Sequence, residues 1–479
     1  MAVLDHLEPK KVFQYFEELS SVPRGTFYNE KISNWCVEFA QARNLECIQD
    51  GMGNIIIKKP GTPGYENSDP VIIQGHMDMV CEKTEDSDHD FENDPLELYI
   101  EDGFIKAKNT TLGGDDGIAM AYALALLDSD DIPHPPLEAI FTVDEEVGMG
   151  GANYIDMSCI KGNILFNIDS DVEGTILAGC AGGILETLDM PVEREIKSGY
   201  LVDIKVRGLR GGHSGSQIHE QRGNANKLIA RILNSLNQDS EIYLVTAEGG
   251  SKDNVIASSA QAQIITPDGE KAAALVKEME AIFRSEFSSD EPDLEVTCTV
   301  KEGFAAVCTR ESTDRIIFGL FCSPYGVQGL SRDLPGLVET SLNLGIVRTS
   351  AEKVSMVFYV RSSSNSKMTE MKYIFRAWAK ALHAEQSEDG EYPAWMYQKD
   401  SKIRPLMVET YKELTGEDPI VTTVHAGLEC GLLSGKKPTL DCVSFGPFNY
   451  DIHSVNERLD IASTQRTWEL LKAVLAKLK

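Results

Sequence analysis

The chain has 479 residues, of which 42% are hydrophobic and 25% charged, a balance that can bury a sizeable core and excludes disordered, collagen-like and fibrous classes. Asp and Glu total 75 against 45 Lys and Arg, a formal charge of −30 with no local basic patch, so no nucleic-acid partner is expected. The length suits about three units of ~150 residues or, equally well, one large and one smaller domain.

Residues 1–11 carry no apolar h-region and do not read as a secretory signal. The ten cysteines are scattered without a C-x-x-C pair, which suits reduced thiols in a cytoplasmic protein. Residues 24–44 place Ile32, Trp35, Cys36, Phe39 and Ala40 at helical spacing, an amphipathic helix in which Cys36 is a core thiol. Short apolar runs rich in β-branched residues follow at 54–57, 71–73, 139–143 and 163–168, with a helix-like stretch at 118–127. That stretch is far too short to span a membrane, and no membrane partner is expected. Continuous apolar strands alternating with helices predict an α/β layer with a mostly parallel sheet.

The pattern then changes. Residues 200–209 and 353–360 alternate in period two, as half-exposed antiparallel strands do, with helical stretches at 225–236, 270–287 and 368–383. This predicts an inserted α+β module. The acidic segment 385–391, EQSEDGE, reads as a linker or loop. A helix at 403–414, a strand at 439–445 and a helix at 467–478 then complete the first domain. The expected division is a catalytic domain over 1–186 and 396–479, interrupted by residues 187–395.

Five features carry chemistry. In VIIQGHMDMV, a strand end presents His76 and Asp78 two residues apart, on the same side. In TLGGDDG, Asp115 and Asp116 follow a Gly-Gly turn and precede a helix. In FTVDEEVGMGG, an apolar strand runs into Asp144, Glu145 and Glu146. In NILFNIDS a further strand ends at Asp169, and in FGPFNYDIHSV His453 follows a Gly-Pro turn near Asp451. Each has a plainer reading: a structural histidine at a strand end, acids capping a helix, a solvated acidic loop. Together they say more, because strand C-termini gather along one edge of an open α/β sheet, where ligands bind. Carboxylates and imidazoles without cysteine suit zinc, manganese or cobalt in a catalytic rather than a structural site. The donors are too many for one tetrahedral ion; two ions roughly 3.5–4 Å apart sharing a carboxylate would fit.

GHMDMV, GGDDG, TVDEEVGM, NIDS, GCAGG, GGHSG, HAGLECG and the late His453, in order along nearly the whole chain, resemble the aminoacyl-histidine dipeptidases, or cytosol non-specific dipeptidases. These belong to the co-catalytic zinc metallopeptidases, with aminoacylase and carnosinase. The resemblance implies two Zn2+ ions per chain, for which Co2+ or Mn2+ can substitute. His76, Asp115 and Asp169 would hold one, and Asp115, Glu146 and His453 the other. Asp115 would bridge, although this chain has Gly114-Asp115-Asp116 where the family often has Ala-Asp-Asn, which leaves Asp116 as the alternative. Asp78 would support His76, and Glu145 would be the general base acting on a metal-bridging hydroxide. The inserted module would be a lid that supplies His213 to an oxyanion hole, in its own or a neighbouring subunit, and Arg361 to a substrate carboxylate. Asn254 and His219 are weaker substrate contacts. Glu429 would meet a free amine, or else be a buried structural acid. Unblocked dipeptides, broad in side chain and including Xaa-His, are the implied substrates, and a homodimer through the lid the implied assembly. An N-acyl-amino-acid amidohydrolase on the same site and a non-catalytic peptide-binding relative are the alternatives. A dinuclear phosphoesterase lacks the arginine or amide cluster a phosphate needs.

Overall fold

Two hydrophobic cores divide the chain in the computed structural model, which describes residues 3–479. The first unit comprises Met1–Cys180, Trp395–Thr423 and Leu428–Lys479; the second comprises Ala181–Ala394 and Val424–Gly427. The expected boundaries at 186/187 and 395/396 lie close to these, with two differences. Strand Gly182–Pro191 belongs wholly to the second unit because its backbone pairs with strands Lys353–Ser362 and Glu385–Tyr392. The short return Val424–Gly427 carries no apolar pattern that would have assigned it there; the Ala181 N–H holds it by bonding the carbonyls of Val424 and Ala426.

The first unit is built on an eight-stranded sheet in the order Glu46–Gln49, Ile55–Lys59, Leu137–Thr142, Val71–His76, Ile164–Asn167, Asp441–Ser444, Thr175–Cys180, Ile420–Val424. Its four central strands, from Leu137–Thr142 to Asp441–Ser444, are parallel, and antiparallel pairs flank them, so the sheet is mixed. The parallel strands are the apolar runs of the sequence: Leu137–Thr142 and Val71–His76 are buried at every position, as strands covered on both faces must be. Helix Gly114–Leu127 is apolar around its whole circumference and correspondingly buried from Gly117 to Leu127. It packs so closely on the sheet that a Cβ at Gly75 would lie 2.5 Å from Ala119 Cβ and 2.6 Å from Asp116 Oδ2, which is why only glycine fits there. The closing helix is Ile461–Lys477, six residues longer at its start than the apolar spacing suggests, because Asp460 caps it through the Ser463 N–H. A separate four-stranded sheet contains the hairpin Asn449–Tyr450 and Arg458–Asp460, whose loop bears His453.

The second unit is a nine-stranded antiparallel sheet with helices Ala225–Asp239, Gly269–Glu286, Arg310–Cys322 and Asn365–Leu382 closing its core. Strand Lys353–Ser362 buries alternate residues, as its period-two pattern requires. The segment expected to be a linker or loop is instead the edge strand Glu385–Tyr392. It is held by backbone pairing and leaves most of its charged side chains exposed, so hydropathy gave no sign of it. No helix among the described residues is long and apolar enough to cross a membrane.

Candidate functional site

Parallel register brings the chemistry of the first unit together. His76 pairs with Thr142, Gln74 with Asn167 and Ser444 with Asn167, so the strands end within two residues of one another on the same edge. The chain leaves that edge as His76–Asp78, as Val143–Glu146 and as Ile168–Asp169. Asp115, at the start of the buried helix, reaches the same place. Its peptide bond to Asp116 is cis.

Asp115 stands between two imidazoles. Its Oδ1 lies 3.0 Å from His76 Nε2 and its Oδ2 3.3 Å from His453 Nε2. Asp169 Oδ1 is 3.9 Å from His76 Nε2, and Glu146 Oε2 is 3.0 Å from His453 Nε2. Three sets have donor atoms close enough to hold an ion: His76, Asp116 and Asp169; His76, Glu145 and Glu146; and Asp115, Glu146 and His453. Asp116 is buried, and its Oδ2 accepts the His76 backbone N–H at 3.3 Å, an engagement that Asp115 does not have.

The His76 ring is oriented from behind. Its Nδ1 lies 3.0 Å from the carbonyl oxygen of Asp78, which makes Nδ1 the donor there and turns Nε2 toward the acids. The Asp78 carboxylate is farther off, with Oδ1 3.5 Å from Nδ1. Its shorter bonds are from the Glu145 N–H at 3.0 Å and the Thr26 hydroxyl at 3.0 Å, with the Glu146 N–H at 3.4 Å. Asp78 therefore organises the Glu145–Glu146 turn as well as supporting the imidazole.

The electrostatics are those of a cation site. Burial, followed by the carboxylates of Glu429, Glu146 and Asp115, pushes Glu145 up to about 8 against the pull of His76. Burial and the neighbouring Asp116 and Asp115 raise Asp169 well above the usual carboxylate range. Burial opposes protonation of His76, but Asp115 and Asp78 outweigh it and raise its pKa. Hydrogen bonds to Asp115 and Glu146 lift His453 to about 10. In the protein alone, protons hold this crowd of acids together, a role divalent cations fill better. The buried Glu146 Oε1 has no hydrogen-bond partner within the protein, as suits an oxygen that ligates a cation. The donor set is oxygen and imidazole without sulfur, and it fits catalytic zinc.

Glu429 is fully buried and accepts from the Thr142 hydroxyl at 2.6 Å and from the Gln74 amide. Its other oxygen, Oε1, is buried without a hydrogen-bond partner, and its charge acts on Glu145 and Asp116.

The remaining expected residues lie in the second unit. Arg361 is 4% exposed; its Nη1 donates to Tyr392 Oη at 3.1 Å, its guanidinium stacks 4.2 Å from the Tyr359 ring centroid, and its buried Nε is unpartnered. His213 Nδ1 accepts the N–H groups of Gly215 and Ser216 at 3.2 and 3.1 Å, which leaves the proton on Nε2 as a donor. Asn254 accepts the Ser214 N–H through its backbone carbonyl at 2.9 Å, and His219 is exposed. His425, which sequence reasoning noted only as part of a motif, faces Ser341 Oγ at 2.8 Å and lies near Arg361, His213 and His219. Burial, then the Arg361 charge, lowers His213 to about 4 and His425 to about 3, so both are neutral imidazoles near neutral pH.

With this geometry in hand, comparison with known proteins is specific. The profile of Peptidase family M20/M25/M40 matches residues 72–477. The cytosol non-specific dipeptidase of Escherichia coli is 36% identical over 482 residues, covering 100% of this chain and 99% of that protein. The crystal structure of an aminoacylhistidine dipeptidase from Vibrio alginolyticus superposes with a TM-score of 0.92 at 37% identity, covering 99% of this chain and 98% of that one. Aminopeptidase PepT from Bacillus cereus shares the fold, with a TM-score of 0.56 at 17% identity over 98% of this chain and 99% of that one.

Proposed function

The chain belongs to peptidase family M20/M25/M40 and is a peptide-bond hydrolase, and we propose that it is a dinuclear zinc dipeptidase acting on unblocked dipeptides of broad side-chain range, Xaa-His included. The observation that carries this reading is Asp115, whose two oxygens face His76 and His453 separately. His76, Asp115 and Asp169 would hold one ion, and Asp115, Glu146 and His453 the other; Co2+ or Mn2+ would serve in place of Zn2+.

Bound ions would supply a water acidified to a pKa of about 7 and a Lewis acid for the scissile carbonyl. Glu145, which carries a raised pKa, accepts the water's proton and returns it to the leaving amine. Asp78 holds the Glu145 backbone while this happens. Arg361 is assigned to a substrate carboxylate, for which its free Nε and planar fork suit it, and His213 Nε2–H to a developing oxyanion. Asn254, His219 and Glu429 are assigned as further substrate contacts.

A cytoplasmic location belongs to the same proposal, supported by the name of the E. coli relative. So does a homodimer through the second unit. Its edge strand Glu295–Cys308 has one open side, and Phe304 and Ile196, on one face of the paired strands, are 74% and 69% exposed. Sedimentation of the Phe304→Glu variant tests this: a shift toward monomer supports the dimer.

Hydrolysis of free dipeptides against their N-acetylated forms tests the substrate class. Cleavage of the free forms is expected. Cleavage of only the acetylated forms would make the chain an N-acyl-amino-acid amidohydrolase.

A further inference from the structure

The hairpin loop that presents His453 carries a second functional group four residues on. The Glu457 side chain is 3% exposed and turns inward. Its carboxylate accepts four successive backbone N–H groups of the loop leading to Asp115. Leu112 and Gly113 donate to Oε2 at 2.7 and 2.9 Å, and Gly114 and Asp115 to Oε1 at 2.8 and 3.3 Å. The Asn449 amide adds a fifth bond to Oε1 at 3.1 Å. On the other side of the same loop, the buried Arg24 guanidinium donates to the Gly113 carbonyl, and at 3.0 Å to the Met77 carbonyl. Gly113 takes a left-handed φ of 65°, and a Cβ there would meet Arg24 Nη2 at 2.6 Å.

Successive N–H groups converging on one point form an anion cradle of the kind that binds phosphate. Here the anion is supplied by the protein itself. An ordinary helix cap satisfies one or two such groups from the adjacent residue. This one satisfies four, from a residue more than 340 positions away, on the loop that bears the other half of a candidate metal site.

The two cation subsites are supported unequally. His76 and Asp169 leave strands of the parallel sheet, whose register fixes them. His453 sits on a hairpin loop with its side chain 48% exposed, and it needs an anchor to Asp115 to be held within the few tenths of an ångström that ligation requires. We propose that Glu457 is a positioning residue that locks the Asp115 loop to the His453 loop, so that the subsite of Asp115, Glu146 and His453 is preassembled. The subsite of His76, Asp115 and Asp169 shares Asp115 but takes its other two ligands from strand ends fixed by the sheet register, so it depends on Glu457 less. This inference rests on the dinuclear reading above.

The test is titration of the full-length, metal-free protein with Zn2+ by calorimetry, alongside steady-state kinetics. Glu457→Gln keeps the volume but replaces one acceptor oxygen with a donor facing N–H groups. It is expected to leave one binding class within about threefold of wild type and to weaken the other about 10–100-fold, the usual cost of removing a ligand's supporting partner. The value of kcat should fall with KM little changed, and Glu457→Asp should restore part of the lost affinity. Asn449→Ala, a milder change that removes the fifth bond, is expected to weaken the same class only. It decides the matter if Glu457→Gln does not fold. Equal weakening of both classes, or two classes unchanged in affinity, overturns the positioning role. Wild-type protein that takes up fewer than two equivalents would instead overturn the dinuclear reading and this inference with it.

Discussion

The backbone N–H of Glu145 donates to Asp78 Oδ1 at 3.0 Å. The same carboxylate also takes the Thr26 hydroxyl and the Glu146 N–H, so one buried acid sets where both turn residues point. An asparagine at 78 cannot accept on both sides, because one of its terminal atoms is a donor. Asp78→Asn is therefore expected to lower kcat about 10–100-fold with KM within about threefold. Wild-type kcat in that variant would show that the turn is held by other means.

Glu145 has the raised pKa of a half-buried base among acids, while His453, Asp115 and Glu146 meet one another without it. Removing its carboxylate takes away proton transfer and leaves the Asp115–Glu146–His453 donor set whole. Glu145→Ala should keep its metal by elemental analysis and lose about 10²–10⁴-fold in turnover. An active Glu145→Ala protein would remove Glu145 from the mechanism.

Glu186 in the second unit is fully buried opposite Glu388. The Gln386 amide donates to its Oε2 at 2.7 Å, and its Oε1 is unpartnered. Burial, with a contribution from Glu388, raises its pKa from 4.5 to about 7. The folded state therefore keeps a proton that the unfolded chain releases, and stability falls as pH rises from about 4.5 through about 7. Glu186→Gln should raise stability by about 1 kcal/mol at pH 8, or about 2–4 °C in Tm, and change little at pH 5. Calorimetric scans at the two pH values check this, and destabilisation at pH 8 would contradict it.

His213 and His425 show the opposite linkage. Their pKa values are lowered from 6.5 to about 4 and about 3, so the unfolded chain binds protons that the folded one refuses. Their contribution to stability is complete above about pH 6.5 and is lost as pH falls toward 3–4. After allowance for solvent screening, each accounts for on the order of 1 kcal/mol. Denaturant unfolding between pH 7 and pH 4.5 should be less pH-dependent in His425→Gln than in wild type; an unchanged slope would contradict the assignment.

The parts of this molecule that sequence alone reveals are those in which apolar period and chemistry coincide. The strands that end at His76, Thr142 and Asn167 are short, mostly apolar runs with an acid two residues past each end, so both the parallel core and its loaded edge were visible. Strand Glu385–Tyr392 was not, because an edge strand paired through its backbone needs no apolar face. Helix Arg310–Cys322 escaped because its N-terminal turn is polar and its buried face includes Ser312, Thr313 and Gly319, which give no apolar period. Glu457 is one acid in HSVNERLD, and nothing local shows that its partners are the N–H groups of residues 112–115. Only the folded chain brings together groups so distant in sequence.

The central claim is that two divalent cations shared by Asp115 sustain peptide-bond hydrolysis. Metal content per chain, measured together with hydrolysis of an unblocked dipeptide before chelation, after it and on adding zinc back, tests it most directly. The account predicts two equivalents, loss of turnover with the chelator, and recovery that is complete only as the second equivalent returns. Full turnover in metal-free protein, or saturation at a single equivalent, would contradict it.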